Sequence, residues 1–320
     1  MPLTAGKLPD ISFNFGADAT TEMIPGRLEN LAAAGAKRVM LDAVQLIRAA
    51  DEPDWKRALQ KGLRDNGLTL FDVHAPHKAK HSFGYPAEAA YDVFFSTADK
   101  ALETAAELGV RTVTFHTART RRVGMMADEY GVFEKADLER ARSRILFQLE
   151  RILPKAEKLG LMIALENLFL PSSTADFLVS LIRQLSHPDL GLNYDSGHAL
   201  LLEKQPGKKS EDIVEKIRIG WDDDLVVFQE DQLDAMLPYV ITGHFHDNNG
   251  KADEHKLPGQ GIADWKRITG RLRRAPRLIS IQSEVSPKYY GNDPGSQMEA
   301  FRRCGFVDGG DGDSATPSRP

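Results

Sequence analysis

Eight short apolar runs, all but the sixth followed by a longer stretch with helical spacing, recur along this chain of 320 residues, and that alternation restricts its fold more than any other feature. The runs are ISFNF (11–15), RVMLD (38–42), LTLFDVH (68–74), RTVTFH (111–116), LMIALE (161–166), LGLNYD (190–195), VITGHFH (240–246) and RLISIQSE (277–284). Between and after them, apolar residues repeat every three or four positions near 21–35, 53–66, 86–109, 135–159, 174–185, 263–274 and 294–303. Such alternation calls for a parallel sheet, because parallel neighbours must be joined by crossovers. The runs are apolar at nearly every position, as expected where helices cover one face and a packed interior the other. Eight such units close on themselves as an α/β fold, the (β/α)8 TIM barrel. No glycine-rich phosphate or dinucleotide loop follows a strand, which argues against a doubly wound open sheet.

With 42% hydrophobic residues, the chain can bury one large core. Residues 1–306 are therefore read as a single barrel domain, and the charged stretch at about 199–239, after strand six, as an insertion. Residues 307–320 have the composition of a disordered tail. A formal net charge of −5 gives no general drive toward nucleic acid, and no apolar run approaches membrane-spanning length. The lone Cys304 rules out an intrachain disulfide and a thiolate metal cluster. With no basic segment leading into an apolar stretch at the N-terminus, a cytoplasmic location is expected. A homo-oligomer is compatible with the sequence, which does not set its size.

The chemistry stands at the strand ends. Glu166, Asp195, His244 and Glu284 close the fifth to eighth runs, at the barrel edge where such folds build their sites. Successive strands lie side by side, so these three carboxylates and one imidazole are expected to surround a divalent ion: Mn, Co, Mg or Zn. His74 and His116 end adjacent strands and are expected to hold a second ion with Glu166 as bridge. His198, Asp253 and His255 are the candidates for a third; the alternative for all five is support of the ring or contact with substrate. One ion is the first expectation and three the upper limit. His198 and His246 are also read as substrate-binding. Asp247 and Asn248 are ordinary turn formers, and Gly259 and Gly261 suit a tight turn beneath the site. Arg119, Arg121 and Arg122 suit either a phosphate clamp or, more commonly, a solvated charge run. His77, His81 and His187 stand in loops without a partner pattern, and Trp221 and Trp265 are read chiefly as packing residues.

These pieces together resemble the xylose-isomerase-like barrel superfamily, which contains sugar isomerases and epimerases and the endonuclease IV branch. The resemblance rests on LEN at 165–167, Asp195-x-x-His198, His244-x-His246-Asp247, the DEHKLPGQGIADW run and Glu284, and spans about residues 8–305. It implies that Glu166, Asp195, His244 and Glu284 form the single-metal site of ketose epimerases. It also implies that the wider set, with His74, His116, His198, Asp253 and His255, is similar to the three-zinc site of endonuclease IV.

The expected activity is a metal-dependent isomerase or epimerase of a sugar, sugar phosphate or related polyol-ketone. Glu166 and Glu284 would exchange the proton of a metal-held enediolate. A lyase or dehydratase acting on a keto-sugar would share those first steps, and an endonuclease IV-like multi-zinc phosphoesterase is the other alternative. The expected partner is a small carbohydrate-like molecule rather than a nucleic acid or a membrane.

Overall fold

The computed structural model describes residues 6–85, 90–117 and 138–307. Eight parallel strands form a closed barrel in sequence order: β1 (Ile11–Phe13), β2 (Arg38–Leu41), β3 (Thr69–His74), β4 (Thr112–Phe115), β5 (Met162–Glu166), β6 (Leu190–Asp195), β7 (Val240–Phe245) and β8 (Ile281–Ser283). Pairing of β1 with both β2 and β8 shuts the ring. The helices are α1 (Ile24–Ala33), α2 (Ala43–Asp51), α3 (Pro53–Asp65), α4 (Tyr91–Glu107), α5 (Leu138–Lys158), α6 (Ala175–Leu185), α7 (Ser196–Leu202), α8 (Glu215–Arg218), α9 (Gln232–Met236), α10 (Trp265–Leu272) and α11 (Pro294–Arg303). None among the described residues is long and apolar enough to cross a membrane. The main core lies between barrel and helices, where side chains such as Leu28, Trp55, Leu102, Leu149 and Phe301 are fully buried.

Helix α2 starts directly after β2, in a stretch that the apolar periodicity leaves as a connection. Its start was written in polar residues instead. The Asp42 carboxylate accepts from the Gln45 amide at 2.9 Å, and Gln45 Oε1 accepts from the Asp42 amide at 3.1 Å. That reciprocal pair is a capping box, which satisfies backbone donors left open at a helix start.

The barrel interior is polar, not apolar as the strand runs suggest. Asp72 of β3 accepts hydrogen bonds from Ser12 of β1 (2.6 Å), from Thr112 of β4 and from Ser280 before β8. Thr112 is the neighbour of Asp72 on the adjacent strand, whereas the Ser12 and Ser280 hydroxyls reach the carboxylate inside the lumen from β1 and from the residue before β8. Burial pushes the Asp72 carboxyl up, and the Ser12, Ser280 and Thr112 hydrogen bonds partly offset that. Further along the lumen, Asn193 Nδ2 donates to Thr114 Oγ1 (3.3 Å) and Glu166 Oε2 (3.4 Å), so polar contacts reach up to the strand ends. Asp72→Ala would leave three buried hydroxyls without their acceptor, at about 1–3 kcal/mol for each group left unsatisfied. The expected result is a loss of at least about 2 kcal/mol in a denaturant melt; an unchanged midpoint would show that the hydroxyls find new partners.

The segment between β6 and β7 contains α7, α8 and α9 and builds a second apolar cluster. Leu201, Leu202, Ile213, Ile217, Trp221 and Val226 pack there on Leu168, Phe169 and Leu170, which follow β5. Trp221 is buried and donates its indole N–H to Phe169 O at 3.0 Å, which makes it a packing residue. Cys304 sits at the end of α11, its thiol pushed up to about 12 by burial and by Asp247 nearby, so it is not a ready nucleophile.

Candidate metal centre

Strand register delivers the ligand side chains to one level. Glu166 lies opposite Asn193 on β6, Asp195 opposite His244 on β7, and His244 opposite Gln282 on β8. Asp195 ends β6 and also caps α7, its Oδ1 accepting from the His198 amide at 2.7 Å. That single turn fixes His198 beside the ring. Gly197, between them, packs under His246 so closely that a Cβ would fall inside the imidazole.

The loop after β7 is fixed by Asp247 rather than merely turned by it. Its carboxylate accepts from the amides of Asn248 (2.9 Å), Gly259 (3.0 Å) and Ala263 (3.1 Å) and from the indole of Trp265 (2.9 Å). Gly261 is required there because a Cβ would run into Asn248 O and the same carboxylate. Asn248 Nδ2 donates to Gly197 O at 2.8 Å, tying the loop to α7. His255 is held at φ 54°, a left-handed conformation uncommon outside glycine, while its main-chain carbonyl accepts from Ser286 N. The loop thereby presents Asp253 and His255 to the strand ends.

Three groups of ligand atoms result. Glu166, Asp195, His244 and Glu284 form the first, His74, His77 and His116 the second, and His198, His246, Asp253 and His255 the third. Glu166 joins the first two: its Oε2 lies 3.3 Å from His244 Nδ1, 3.1 Å from His116 Nε2 and 3.3 Å from His74 Nε2. Its Oε1 lies 3.3 Å from His198 Nδ1. Asp195 joins the first and third, with Oδ2 at 3.2 Å from His246 Nε2. In the third group, Asp253 stands 3.5 Å from His198 Nε2 and 3.3 Å from His255 Nε2.

Several imidazoles are oriented by the main chain. Nδ1 of His74 lies 2.7 Å from Ala75 O, that of His198 3.0 Å from Asn167 O, and that of His255 2.7 Å from Glu284 O. Donation from each Nδ1–H leaves the Nε2 lone pair facing the centre, which is how metal-binding histidines are held. His244 is buried with neither nitrogen hydrogen-bonded, although its Nδ1 stands 2.9 Å from Glu284 Oε1 and 3.3 Å from Glu166 Oε2. Buried polar atoms without partners are rare, and an ion held between Nδ1 and the two carboxylates would satisfy that nitrogen. The residues therefore fit a divalent cation.

Electrostatics point the same way. Burial works against ionising Glu166, yet His244, His116 and His198 hold its carboxyl well below the usual range. Burial is likewise overcome at Asp253 by His198 and His255, and at Glu284 by His244, so both stay low. Burial disfavours charge on His198 and His244, but the carboxylates around them raise both, and His255 is raised to about 9. Burial lowers His116 to about 4 despite Glu166 beside it. A nest of buried, ionised carboxylates requires compensating positive charge, from imidazolium or from a metal ion.

His246, read as facing substrate, is fully buried and stacks on His255 with ring centroids 3.8 Å apart. His198, given the same role, faces Glu166 and Asp253. His77, which the sequence leaves without a partner pattern, stands beside His74 and His116, with centroids 4.7 and 4.5 Å away. The signal was the His-x-x-His spacing at the end of the third run. His81 instead contacts Thr97 Oγ1 at 3.0 Å, and His187 Nδ1 accepts from Asp189 N at 3.2 Å. Arg119, Arg121 and Arg122 lie outside the described residues, as do residues 308–320 of the expected tail.

Fold and site together define a class: parallel eight-stranded barrels whose strand ends carry a ring of carboxylates and imidazoles. The model of the xylose isomerase-like TIM barrel family matches residues 28–299, and the chain belongs to that family. Among solved structures it is similar to a D-tagatose 3-epimerase-like protein, at TM-score 0.68 and 17% identity over 92% of this chain and 96% of that one. It is also similar to an IolI protein with a bound zinc atom, at TM-score 0.63 and 16% identity over 92% and 96%. At these identities the likeness concerns the fold. An uncharacterized protein of Methanocaldococcus jannaschii, MJ1311, is 28% identical over 145 residues, 42% of this chain. That match spans only 41% of the relative's length.

Proposed function

We propose that the chain is a divalent-metal-dependent isomerase or epimerase of a sugar, sugar phosphate or related polyol-ketone. One observation carries the reading: Glu166 and Glu284 approach the same nitrogen of His244 from two strands, so two carboxylates flank one ligand position. Glu166, Asp195, His244 and Glu284 would hold the ion, which when bound acts as a Lewis acid toward the carbonyl and hydroxyl oxygens of the substrate. The remaining chemistry belongs to the side chains. One glutamate removes the proton from the carbon bearing the hydroxyl, and the C–H electron pair moves toward the carbonyl to give an enediolate. The other glutamate, protonated from solvent, returns a proton to the opposite face for epimerisation; for isomerisation the neighbouring carbon takes it while the hydroxyl proton passes to the former carbonyl oxygen, and the first glutamate releases its proton to water. Glu284 suits the first role, since its side chain is 20% exposed against 1% for Glu166. Support for a carbohydrate substrate also comes from the epimerase-like neighbour.

The test is proton exchange in deuterated water with metal-loaded protein and a panel of ketoses, keto-glycosides and inosose-like compounds. Deuterium at the carbon next to the carbonyl of one panel member is expected. Absence of exchange across the panel, with hydrolysis of a phosphodiester in its place, would overturn the reading. That second reading, an endonuclease IV-like phosphoesterase, is favoured by the two further ligand groups sharing Glu166 and Asp195. Bridged ions of that kind activate water and stabilise a departing oxygen.

A further inference from the structure

We propose that His77 is a metal ligand and that, with His74, His116 and Glu166, it forms an imidazole-rich site, joined to the carboxylate-rich one through Glu166 and selective for zinc-like ions over magnesium. The proposal is independent of the isomerase reading, because it concerns which ion the protein holds and not what the protein turns over.

The geometry is that of donors gathered around one point. Zinc–nitrogen bonds of about 2.0–2.1 Å place neighbouring donor atoms roughly 3–3.5 Å apart around the ion. His74 Nε2 and His116 Nε2 are 3.0 Å apart, and Glu166 Oε2 lies 3.3 and 3.1 Å from them. Two imidazole nitrogens at that separation face each other at the expense of other partners, since His74 already uses Nδ1 on Ala75 O. His77 completes the group: one ligand atom from each of the three histidines lies within 4.8 Å of the others. Nδ1 of His77 is buried and makes no hydrogen bond. The turn that carries it is fixed, with Ser82 Oγ donating to His77 O at 2.5 Å and Phe83 N donating to His116 O at 3.0 Å. Among the described residues the His77 ring packs against those of His74 and His116, and the Ala75 main chain lies within hydrogen-bonding reach of it.

The composition of the group determines its ion. Three imidazoles and one carboxylate suit zinc, cobalt, nickel or ferrous iron, whereas magnesium prefers oxygen ligands and retains its water. The neighbouring group of three carboxylates and one imidazole is hard enough for magnesium or manganese. Glu166 belongs to both, so the two ions would be neighbours of different preference.

The test uses full-length protein stripped with a chelator and titrated with zinc chloride, followed by elemental analysis after gel filtration. His77→Ala is expected to lose at least 10-fold in affinity for one zinc per chain, while the remaining zinc is unaffected. Asp195→Asn, which touches the carboxylate-rich group, is expected to retain the His77-dependent ion. When limiting zinc is added to stripped protein in excess magnesium chloride, the imidazole-rich group should fill with zinc first. Cobalt chloride gives an independent readout, because the visible spectrum of the loaded protein should change in His77→Ala and not in His81→Ala. Should His77→Ala melt early, His77→Gln replaces it in the same titration. Zinc isotherms and cobalt spectra identical in wild type and His77 variants would overturn the proposal, whether or not any sugar is turned over.

Discussion

Glu166→Gln is expected to lower turnover by about 10²–10⁴-fold, the range supplied by a positioned acid–base group, with the barrel still folded. Among the described residues, one oxygen of Glu166 faces His74, His116 and His244, and the other faces His198. Glutamine keeps the shape but removes the charge and places an amide donor among imidazoles. Both proposed roles, proton transfer and metal ligation, would fail together. Steady-state rates on the compound that shows exchange, with a thermal melt beside them, check this. Full activity in the glutamine variant would remove Glu166 from the mechanism and with it the proposed pairing with Glu284.

Chelation carries the second large effect. Stripping the divalent ion should abolish activity, and it should also lower the melting temperature. An ion that binds only the folded state contributes about 4 kcal/mol at a free concentration a thousand times its dissociation constant. At roughly 2 °C per kcal/mol for a large domain, the fall amounts to several degrees. The buried carboxylates supply the physical reason, since Glu166 and Asp253 keep their negative charge inside the protein and need a counter-charge. Differential scanning of stripped and reloaded protein measures it. Equal midpoints with and without metal would mean that protonated histidines alone balance the site.

Much of this was legible in the sequence because strand ends and ligand chemistry coincide. LMIALE ends at Glu166 and LGLNYD at Asp195, and parallel register then places such residues side by side. What escaped depends on contacts between elements that no local pattern records. The hydroxyls of Ser12, Thr112 and Ser280 read as strand residues until closure brings them to Asp72. His77 reads as a loop residue until β3 and β4 bring His74 and His116 together beside it. His246 reads as a residue just past a strand end, and no local pattern records that the loop fixed by Asp247 stacks His255 on it. Helix α2 was written in a capping box rather than in apolar periodicity, which is why a reading based on spacing passes over it.

The apolar cluster between β6 and β7 sets the boundary of any exchangeable piece. Trp221 anchors that segment on Phe169 O, and the Phe169 ring meets the edge of His198 at 5.2 Å. A graft that swaps the excursion after α7 for that of a relative must therefore carry Leu168–Leu170 with it. Without those three residues the donor segment would settle on an unmatched floor, and the mismatch would reach His198 directly through Phe169. The natural unit of recombination in this barrel spans two consecutive strand ends, and cutting at a single loop would divide it.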